Sequence, residues 1–242
     1  MYKRQAGRGA KLISLKNKTL DKDGYEVVSH YSLPEEVYGS DFIVRYHFSP
    51  MGSLDVNCTF IPANDTLPLM PRMGVSITLN KQYDQMEWLG RGPHENYCDR
   101  NRSSFVGLYK GSVAEQYFAY DRPQENGNKT EVRWMSLTDQ KGNGLMAIGA
   151  PAISCSAYLF PTEDLDEPTT RKSQRHMSDI QPKDMVTWNI DLKQMGVGGD
   201  TSWGAYPHEP YLIPARKMEF SFRLCLAQEK GVKGDKRYLE MK

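Results

Sequence analysis

Three polar segments of this chain, 88–100, 122–128 and 196–204, carry the side chains best suited to binding or catalysis. Glycine or proline recurs in each segment, which is typical of loops that leave hydrogen-bonding groups accessible. The side chains that we take as candidate ligand contacts are Arg91, His94, Glu95, Glu125, Asn126, Asp200 and Trp203. These side chains offer hydrogen-bond donors and acceptors and, in Trp203, one flat apolar ring.

The segment 196–204 is the most informative, because it combines four glycines with Asp200 and Trp203. A sugar presents hydroxyl groups that donate and accept hydrogen bonds, and an apolar C–H face that suits an aromatic ring. We therefore predict that Trp203 and Asp200 bind a carbohydrate, with the polar side chains of the other two loops as further contacts. Structural roles are the alternative: Trp203 as a loop anchor, Asp200 as an acceptor for the backbone of Thr201 or Ser202, and the other loops as a hydrogen-bonded network.

Catalysis by this chain has little support in the sequence. There is no G-x-S-x-G nucleophile motif. The carboxylates that have the right chemistry for glycoside hydrolysis are Glu95, Glu125 and Asp200. That reaction needs two carboxyl groups on either side of the scissile bond, and no pattern shows that any two of these converge. We therefore predict no catalytic residue here.

Metal and phosphate sites are also disfavoured. A metal site in the first segment would draw on His94, Glu95, Cys98 and Asp99. These ligands mix hard and soft atoms, and no helix aligns their spacing. The glycine-rich segment lacks the G-K-[ST] sequence of a phosphate-binding loop. We expect neither a metal nor a cofactor in this chain.

Composition excludes several functional classes. The 242 residues include 31 basic and 30 acidic side chains, and the net charge of +1 gives no field that would attract nucleic acid or an anionic membrane. No run of 18 apolar residues is present, and no apolar segment follows the basic N-terminus, so we expect neither a membrane span nor a signal peptide. The four cysteines form no C-x-x-C pair, which favours reduced thiols packed as small apolar groups.

Apolar residues repeat with a period of two along much of the chain, the pattern of strands with one buried face. The segments that show it are 42–48, 54–60, 73–79, 153–159, 186–190 and 220–226. No window of a dozen residues keeps a helical period, and Asn126-Gly127 and Asn143-Gly144 suit tight hairpin turns. The pattern predicts an all-β fold, a large antiparallel β-sandwich, with Trp88, Trp134 and Trp188 in its core.

We predict one domain over residues 24–227, with an extension at each end. Residues 1–23 are expected to be a disordered or frayed N-terminal extension. Residues 228–242 are rich in Lys, Gly and Glu and are expected to be a flexible tail. The charged stretch 163–172 is expected to be a surface loop with local charge pairing rather than a binding patch.

Four linked motifs resemble a known family. They are Leu67 to Gly74, Trp88 to Tyr97, Arg122 to Asn128 and Gly196 to Gly204, in this order and spacing. Over roughly residues 24–227 the chain resembles the C-terminal small-chain domain, domain 5, of the large β-galactosidases of glycoside hydrolase family 2. The resemblance implies a galactose-mutarotase-like supersandwich, and the chain is expected to start after the first strands of that family's domain.

The resemblance also implies a role within a larger enzyme that hydrolyses terminal β-D-galactose residues of lactose-type β-galactosides. In the family this domain packs on a catalytic TIM barrel, and the tryptophan at the position of Trp203 stacks on the aglycone sugar. The catalytic glutamates and the magnesium and sodium ligands lie on that barrel, which this chain lacks. We expect an oligomeric parent that is cytoplasmic by default or periplasmic, a chain that is inactive alone, and an exposed sheet edge or apolar face where the barrel packs.

A second functional class is a stand-alone carbohydrate-binding or mutarotase-like β-sandwich, because one fold can support unrelated sites. Ring opening of a sugar would need a histidine and a glutamate acting together. The pairs available are His94 with Glu125 and His176 with Glu125.

Overall fold

A computed structural model describes residues 9–34, 39–165, 176–201, 203–227 and 238. Within these ranges the chain folds into antiparallel strands linked by loops and short 3-10 turns. The strands are β1 Lys11–Thr19, β2 Tyr25–Ser32, β3 Asp41–Phe48, β4 Leu54–Ile61, β5 Arg72–Leu79, β6 Gln85–Gly92, β7 Phe105–Ser112, β8 Lys129–Thr138, β9 Gly144–Tyr158, β10 Val186–Gln194 and β11 Met218–Ala227. No helix in the described residues is long and apolar enough to cross a membrane.

The strands join into one sheet in the order β1-β2-β3-β4-β11-β9-β8-β6-β7, and β10 pairs with both β5 and β9. The long strand β9 makes this branching possible, because its first half pairs with β11 and its second half pairs with β10. Side chains from distant parts of the sheet share one core cluster, including Val56, Trp88, Trp188 and Phe222. The sheet therefore packs against itself, and the predicted all-β antiparallel sandwich is confirmed.

The period-two segments correspond to strands, as the sequence predicts. In β6 every second residue is buried, because its alternate side chains point into the core. Trp88, Trp134 and Trp188 are each at most 4% exposed, so their predicted core positions are confirmed. Cys58, Cys155 and Cys225 are buried free thiols, as predicted for cysteines packed as small apolar groups, whereas Cys98 is exposed and does not fit that prediction.

Part of the N-terminal segment differs from the frayed extension that the sequence predicts. Lys11–Thr19 forms strand β1, which pairs with β2 through a register shift between Leu12 and Ser14. Leu12, Ile13 and Leu15 are all more than half exposed. Because no side of β1 is buried, the period-two signal that identifies other strands is absent there. Residues 1–8 and, except for Tyr238, 228–242 lie outside the described residues.

Two edge strands of the branched sheet expose apolar side chains. Strand β1 forms one end, and β7, at the other end, exposes Phe105, Val106 and Leu108. β1 and β7 are thus edge strands with exposed apolar side chains.

The predicted hairpin turns differ in detail from the structure. β8 and β9 form a hairpin, but its turn spans residues 139–143 and is organised by the carboxylate of Asp139, which accepts hydrogen bonds from the backbone of Lys141 and Asn143. Asn126-Gly127 lies in a long loop between β7 and β8, which do not pair with each other. The charged stretch 163–172 is described only to Leu165, at the end of the 3-10 turn Thr162–Leu165.

Candidate functional site

The three candidate segments are joined to one another. The first was predicted to be a loop over 88–100, but it is a loop only from Pro93 onward, because Trp88 to Gly92 belong to β6. The backbone N–H of Gly127 in the second loop donates to Glu95 Oε2 in the first, over 2.7 Å. The backbone N–H of Gly198 in the third loop donates to Asp99 Oδ2 in the first, over 2.8 Å. The first loop therefore lies between the other two and fixes their positions.

Glu95 serves as an internal clamp in this arrangement. Its Oε1 pairs with Arg100 and accepts a hydrogen bond from the hydroxyl of Tyr120 at 2.5 Å, while Oε2 accepts the bond from Gly127. Its side chain is 11% exposed. With both oxygens occupied and little surface free, Glu95 holds loops together rather than facing a ligand.

Two buried asparagines, which the sequence analysis did not single out as site residues, form the centre of this network. Asn96 donates to the carbonyls of Arg91 and His94, and its Oδ1 accepts from the backbone and the hydroxyl of Thr130. Asn128 Nδ2 donates to the Asn96 carbonyl over 2.9 Å. Both residues are fully buried. Their position inside two polar loops was visible in the sequence, but their burial was not.

Lys129, the first residue of β8, is also buried. Its Nζ donates to the Gly127 carbonyl over 3.2 Å and lies 5.2 Å from the ring centre of Trp88. Burial lowers the pKa of Lys129 to about 8, against the opposing attraction of Glu95. The ammonium group therefore occupies a site that favours the charged form less than water does.

Glu125 belongs to an ion cluster under the second loop. Arg72 pairs with the carboxylate of Asp191 and lies 3.6 Å from Glu125 Oε2. The hydroxyl of Tyr158 donates to Glu125 Oε1 over 3.2 Å. Burial raises the pKa of Asp191 to about 6, with Arg72 acting in the opposite direction. Arg72 thus links β5, β10 and the second loop.

Arg91, His94 and Asn126 also bind other parts of the chain. Arg91 Nε donates to Glu131 Oε1 over 2.6 Å and Nη1 to the Ser104 carbonyl over 2.8 Å. The ring of His94 bonds the hydroxyls of Ser103 and Ser104. The side chain of Asn126 accepts from the Phe118 backbone and donates to the Gln124 carbonyl. The structural alternative therefore describes these loops better than direct ligand contact.

The histidine and glutamate pairs of a mutarotase-like mechanism are not formed. His94 is bonded to serines and Glu125 to Tyr158 and Arg72. The ring of His176 bonds the hydroxyl of Ser178. In the part of the chain that the structure describes, no three His, Cys, Asp or Glu side chains gather as metal ligands would.

Trp203 stands apart from this network. It is 93% exposed, and its backbone N–H donates to the Thr201 hydroxyl over 3.3 Å. Gly204 follows in the left-handed region, with φ of +89°, where glycine is the residue without steric cost. The ring is therefore presented to solvent and does not fold back as a loop anchor.

Asp200 bonds a residue that the sequence analysis did not select. Its Oδ1 lies 2.8 Å from His208 Nε2, and both side chains are mostly exposed. At the base of the loop the backbone N–H of Gly196 donates to the Tyr211 carbonyl over 2.9 Å. The segment 196–204 is thus fixed at its base and carries an exposed aromatic ring and an exposed acid, groups that can stack on a sugar and bond its hydroxyls.

The fold and the joined loops define a β-sandwich domain that presents a tryptophan on an anchored, glycine-rich loop. A family model described as the beta galactosidase small chain matches residues 2–224. The chain therefore belongs to the beta-galactosidase small chain family, which confirms the resemblance of its four motifs.

The relatives are much longer proteins. The chain is 38% identical over 174 residues to the Beta-galactosidase of Priestia megaterium, covering 72% of this chain and 16% of that protein. It is 30% identical over 213 residues to the Beta-galactosidase of Lactobacillus delbrueckii subsp. bulgaricus, covering 88% of this chain and 20% of that protein. The chain thus spans at most a fifth of either relative.

Among solved structures, the chain is similar to a galactose mutarotase related enzyme from Lactobacillus acidophilus. The match covers 91% of this chain and 74% of that chain, with a TM-score of 0.41 and 14% sequence identity.

Proposed function

We propose that this chain is the part of a β-galactosidase that forms the wall of the aglycone-sugar site, with Trp203 stacking on the sugar beyond the scissile bond. The observation that carries the proposal is the exposure of Trp203, at 93%, on a loop whose base is held by other parts of the domain. A large aromatic ring left in water on a loop that is held at its base is suited to a binding role. Asp200 and His208 lie on the same loop region and supply groups for sugar hydroxyls.

Catalysis belongs to another part of the enzyme in this proposal. Hydrolysis of a galactoside needs two carboxyl groups on either side of the bond. Glu95 and Glu125 are both tied into internal clusters, and Asp200 is paired with His208. As the resemblance of the four motifs implies, we assign the catalytic glutamates and the magnesium and sodium ions to a barrel or a large subunit of the parent enzyme.

The sheet edges support docking onto such a partner. β1 exposes Leu12, Ile13 and Leu15, and β7 exposes Phe105 and Leu108, the last being 57% exposed. Exposed apolar edge strands are uncommon on a free domain, because they promote pairing with other chains. A larger catalytic part that covers one edge would remove this surface from water.

The test compares hydrolysis of a chromogenic β-galactoside by three proteins. They are the chain alone, the Priestia megaterium relative truncated before the segment that matches this chain, and that relative with this chain in place of the segment. We expect activity only in the third protein. Turnover by the chain alone would contradict the proposal, and so would full activity of the truncated relative.

A further inference from the structure

The sheet carries a second apolar surface on β6, β8, β9 and β11. Its buried side chains form a cluster separate from the main core: Trp134, Met146, Ile148, Cys225 and Ala227, with the partly buried Leu89 packed against them. Strand pairing places these residues side by side, because Trp134 is opposite both Leu89 and Ile148. Met146 is likewise opposite Cys225. The cluster therefore runs across four neighbouring strands, and we call it the outer face.

The outer face lies on the side of the sheet opposite the main core. Met135, Ala147 and Leu224 contribute to that core, and each is next in sequence to a residue of the outer face. Successive side chains of a strand point to opposite faces of the sheet. The two clusters are therefore separated by the thickness of the sheet.

The outer face is covered, unlike the edge strands. None of its five clustered residues is more than 8% exposed. Leu12 on β1 and Phe105 on β7 are 53% and 75% exposed in the same chain. A sheet face that meets water normally carries polar side chains, so a face that is apolar and buried requires a cover. Because the burial is complete in a single copy, this chain itself supplies the cover.

Tyr238 supplies part of that cover. It belongs to no strand, it packs against the outer face, and it is itself partly buried. Position 238 is eleven residues beyond Ala227, the last residue of β11. A segment of that length reaches up to about 36–40 Å, whereas β11 and β6 are about 14 Å apart, or three strand spacings. The segment after β11 is therefore long enough to reach any part of the outer face.

The sequence of this segment suits a cover held by one anchor. Residues 228–242 are rich in charged residues and glycine, and their aromatic residue is Tyr238. A buried tyrosine removes about 150–250 Å² from water and can keep its hydroxyl group at the wet edge of the contact. The family model matches residues 2–224, so this segment lies beyond the matched part of the chain.

We propose that the outer face is a docking site and that its occupant is the C-terminal segment 228–242 of the same chain, with Tyr238 as the anchor. The segment thereby shields an apolar sheet face from other chains, while the edge strands β1 and β7 stay open to a partner. This gives residues 228–242 a role in place of the flexible tail that the sequence predicts. The proposal does not depend on the aglycone role of Trp203.

The test measures, by mass spectrometry, how fast iodoacetamide alkylates each cysteine of the folded 242-residue chain. Cys225 lies on the outer face, whereas Cys58 and Cys155 lie in the main core and Cys98 is exposed. We expect Tyr238→Ala to speed the alkylation of Cys225 about tenfold or more, because loss of the anchor lets the cover open locally. The rates at the other three cysteines should not change, which separates local opening from global unfolding.

The matched control is Tyr206→Ala, which removes a tyrosine that is 65% exposed and should leave Cys225 protected. Tyr238→Phe keeps the ring and should also leave it protected. A peptide with the sequence of residues 228–242, added to the Tyr238→Ala chain, should slow the alkylation of Cys225 again. The same peptide with alanine at position 238 should not.

An unchanged rate at Cys225 in Tyr238→Ala would overturn the proposal. So would protection of Cys225 in the unmodified chain that is lost on dilution, because a second copy would then be the occupant. If Tyr238→Ala fails to fold, p-benzoylphenylalanine in place of Tyr238 keeps an aromatic ring in the full chain and cross-links under light to what it contacts. We expect adducts on Trp134, Met146 or Ile148, and adducts confined to residues outside the outer face would contradict the docking.

Discussion

The carboxylate of Asp99 accepts a hydrogen bond from the backbone N–H of Gly198, over 2.8 Å, and so ties the tryptophan-bearing loop to the loop that follows β6 and contains Pro93, His94 and Glu95. Gly196 lies against the same carboxylate, because a Cβ built there would be 2.5 Å from Asp99 Oδ2. The position of Trp203 therefore depends on glycines that let an acidic side chain approach the backbone closely.

Gly196→Ala is expected to displace Asp99 and break its bond to Gly198, at a cost of about 1–3 kcal/mol in the free energy of unfolding. Gly198→Ala is the matched control, because the nearest atom to its added Cβ is Asp99 Oδ2 at 3.6 Å, an ordinary contact. Denaturant unfolding and amide hydrogen exchange at position 198 measure the effect. If Gly196→Ala and Gly198→Ala lowered the free energy of unfolding equally, the close approach of Asp99 to Gly196 would not be what positions the loop.

Arg72→Met is expected to lower the free energy of unfolding by about 3–5 kcal/mol, because it leaves the buried carboxylate of Asp191 without its partner. The Asp191 side chain is 2% exposed. The control is Arg223→Met, which removes the partner of Asp55, a carboxylate that is 25% exposed. That change is expected to cost about 1 kcal/mol. If Arg72→Met and Arg223→Met lowered the free energy of unfolding by similar amounts, the larger cost expected for the more deeply buried Asp191 would be contradicted.

Lys129→Met is expected to change how stability depends on pH. Burial lowers the pKa of Lys129 from 10.5 to about 8. Between pH 8 and pH 10.5 the unfolded chain binds more protons at Lys129 than the folded chain does. The contribution of Lys129 to the free energy of unfolding therefore rises with pH through this window, by about 3 kcal/mol at most. The difference in unfolding free energy between the unmodified chain and Lys129→Met should therefore increase from pH 7 to pH 10.

The control for this measurement is Lys110→Met, which removes an exposed lysine and is expected to leave the pH dependence of the unmodified chain in place. A difference between the unmodified chain and Lys129→Met that stays constant over this range would mean that the ammonium group is well solvated in the folded chain.

The fold was predictable where one side of a strand is buried. Residues 54–60 and 220–226 alternate in the sequence and form β4 and β11 around the core. The sequence pattern did not predict β1 or much of β7. Apolar residues such as Leu12 and Leu108 are exposed there, and apolar and polar residues do not alternate. The periodic signal reports burial, so strands without a buried side do not produce it.

The site was predictable as a set of loops but not as a set of contacts. Glycine and proline content identified the three loops, and the exposed position of Trp203 follows from its glycine-rich surroundings. The partners of the polar groups are distant in sequence: Asp99 and Gly198 are 99 residues apart, and Arg72 and Asp191 are 119 apart. Composition therefore indicated which residues were polar, while the fold determined which of them are buried and already paired.

The most direct test of the proposed aglycone role is the affinity for glucose as the acceptor of galactose, measured in the Priestia megaterium relative that carries this chain in place of its matching segment. The measurement is the glucose concentration that gives half-maximal transfer, for the unmodified enzyme, Trp203→Phe and Trp203→Ala. We predict that Trp203→Ala raises this concentration about tenfold, corresponding to about 1.4 kcal/mol of stacking, and that Trp203→Phe, which keeps a flat apolar ring, gives a smaller increase. An unchanged value in Trp203→Ala would contradict the assignment of this loop to the aglycone sugar.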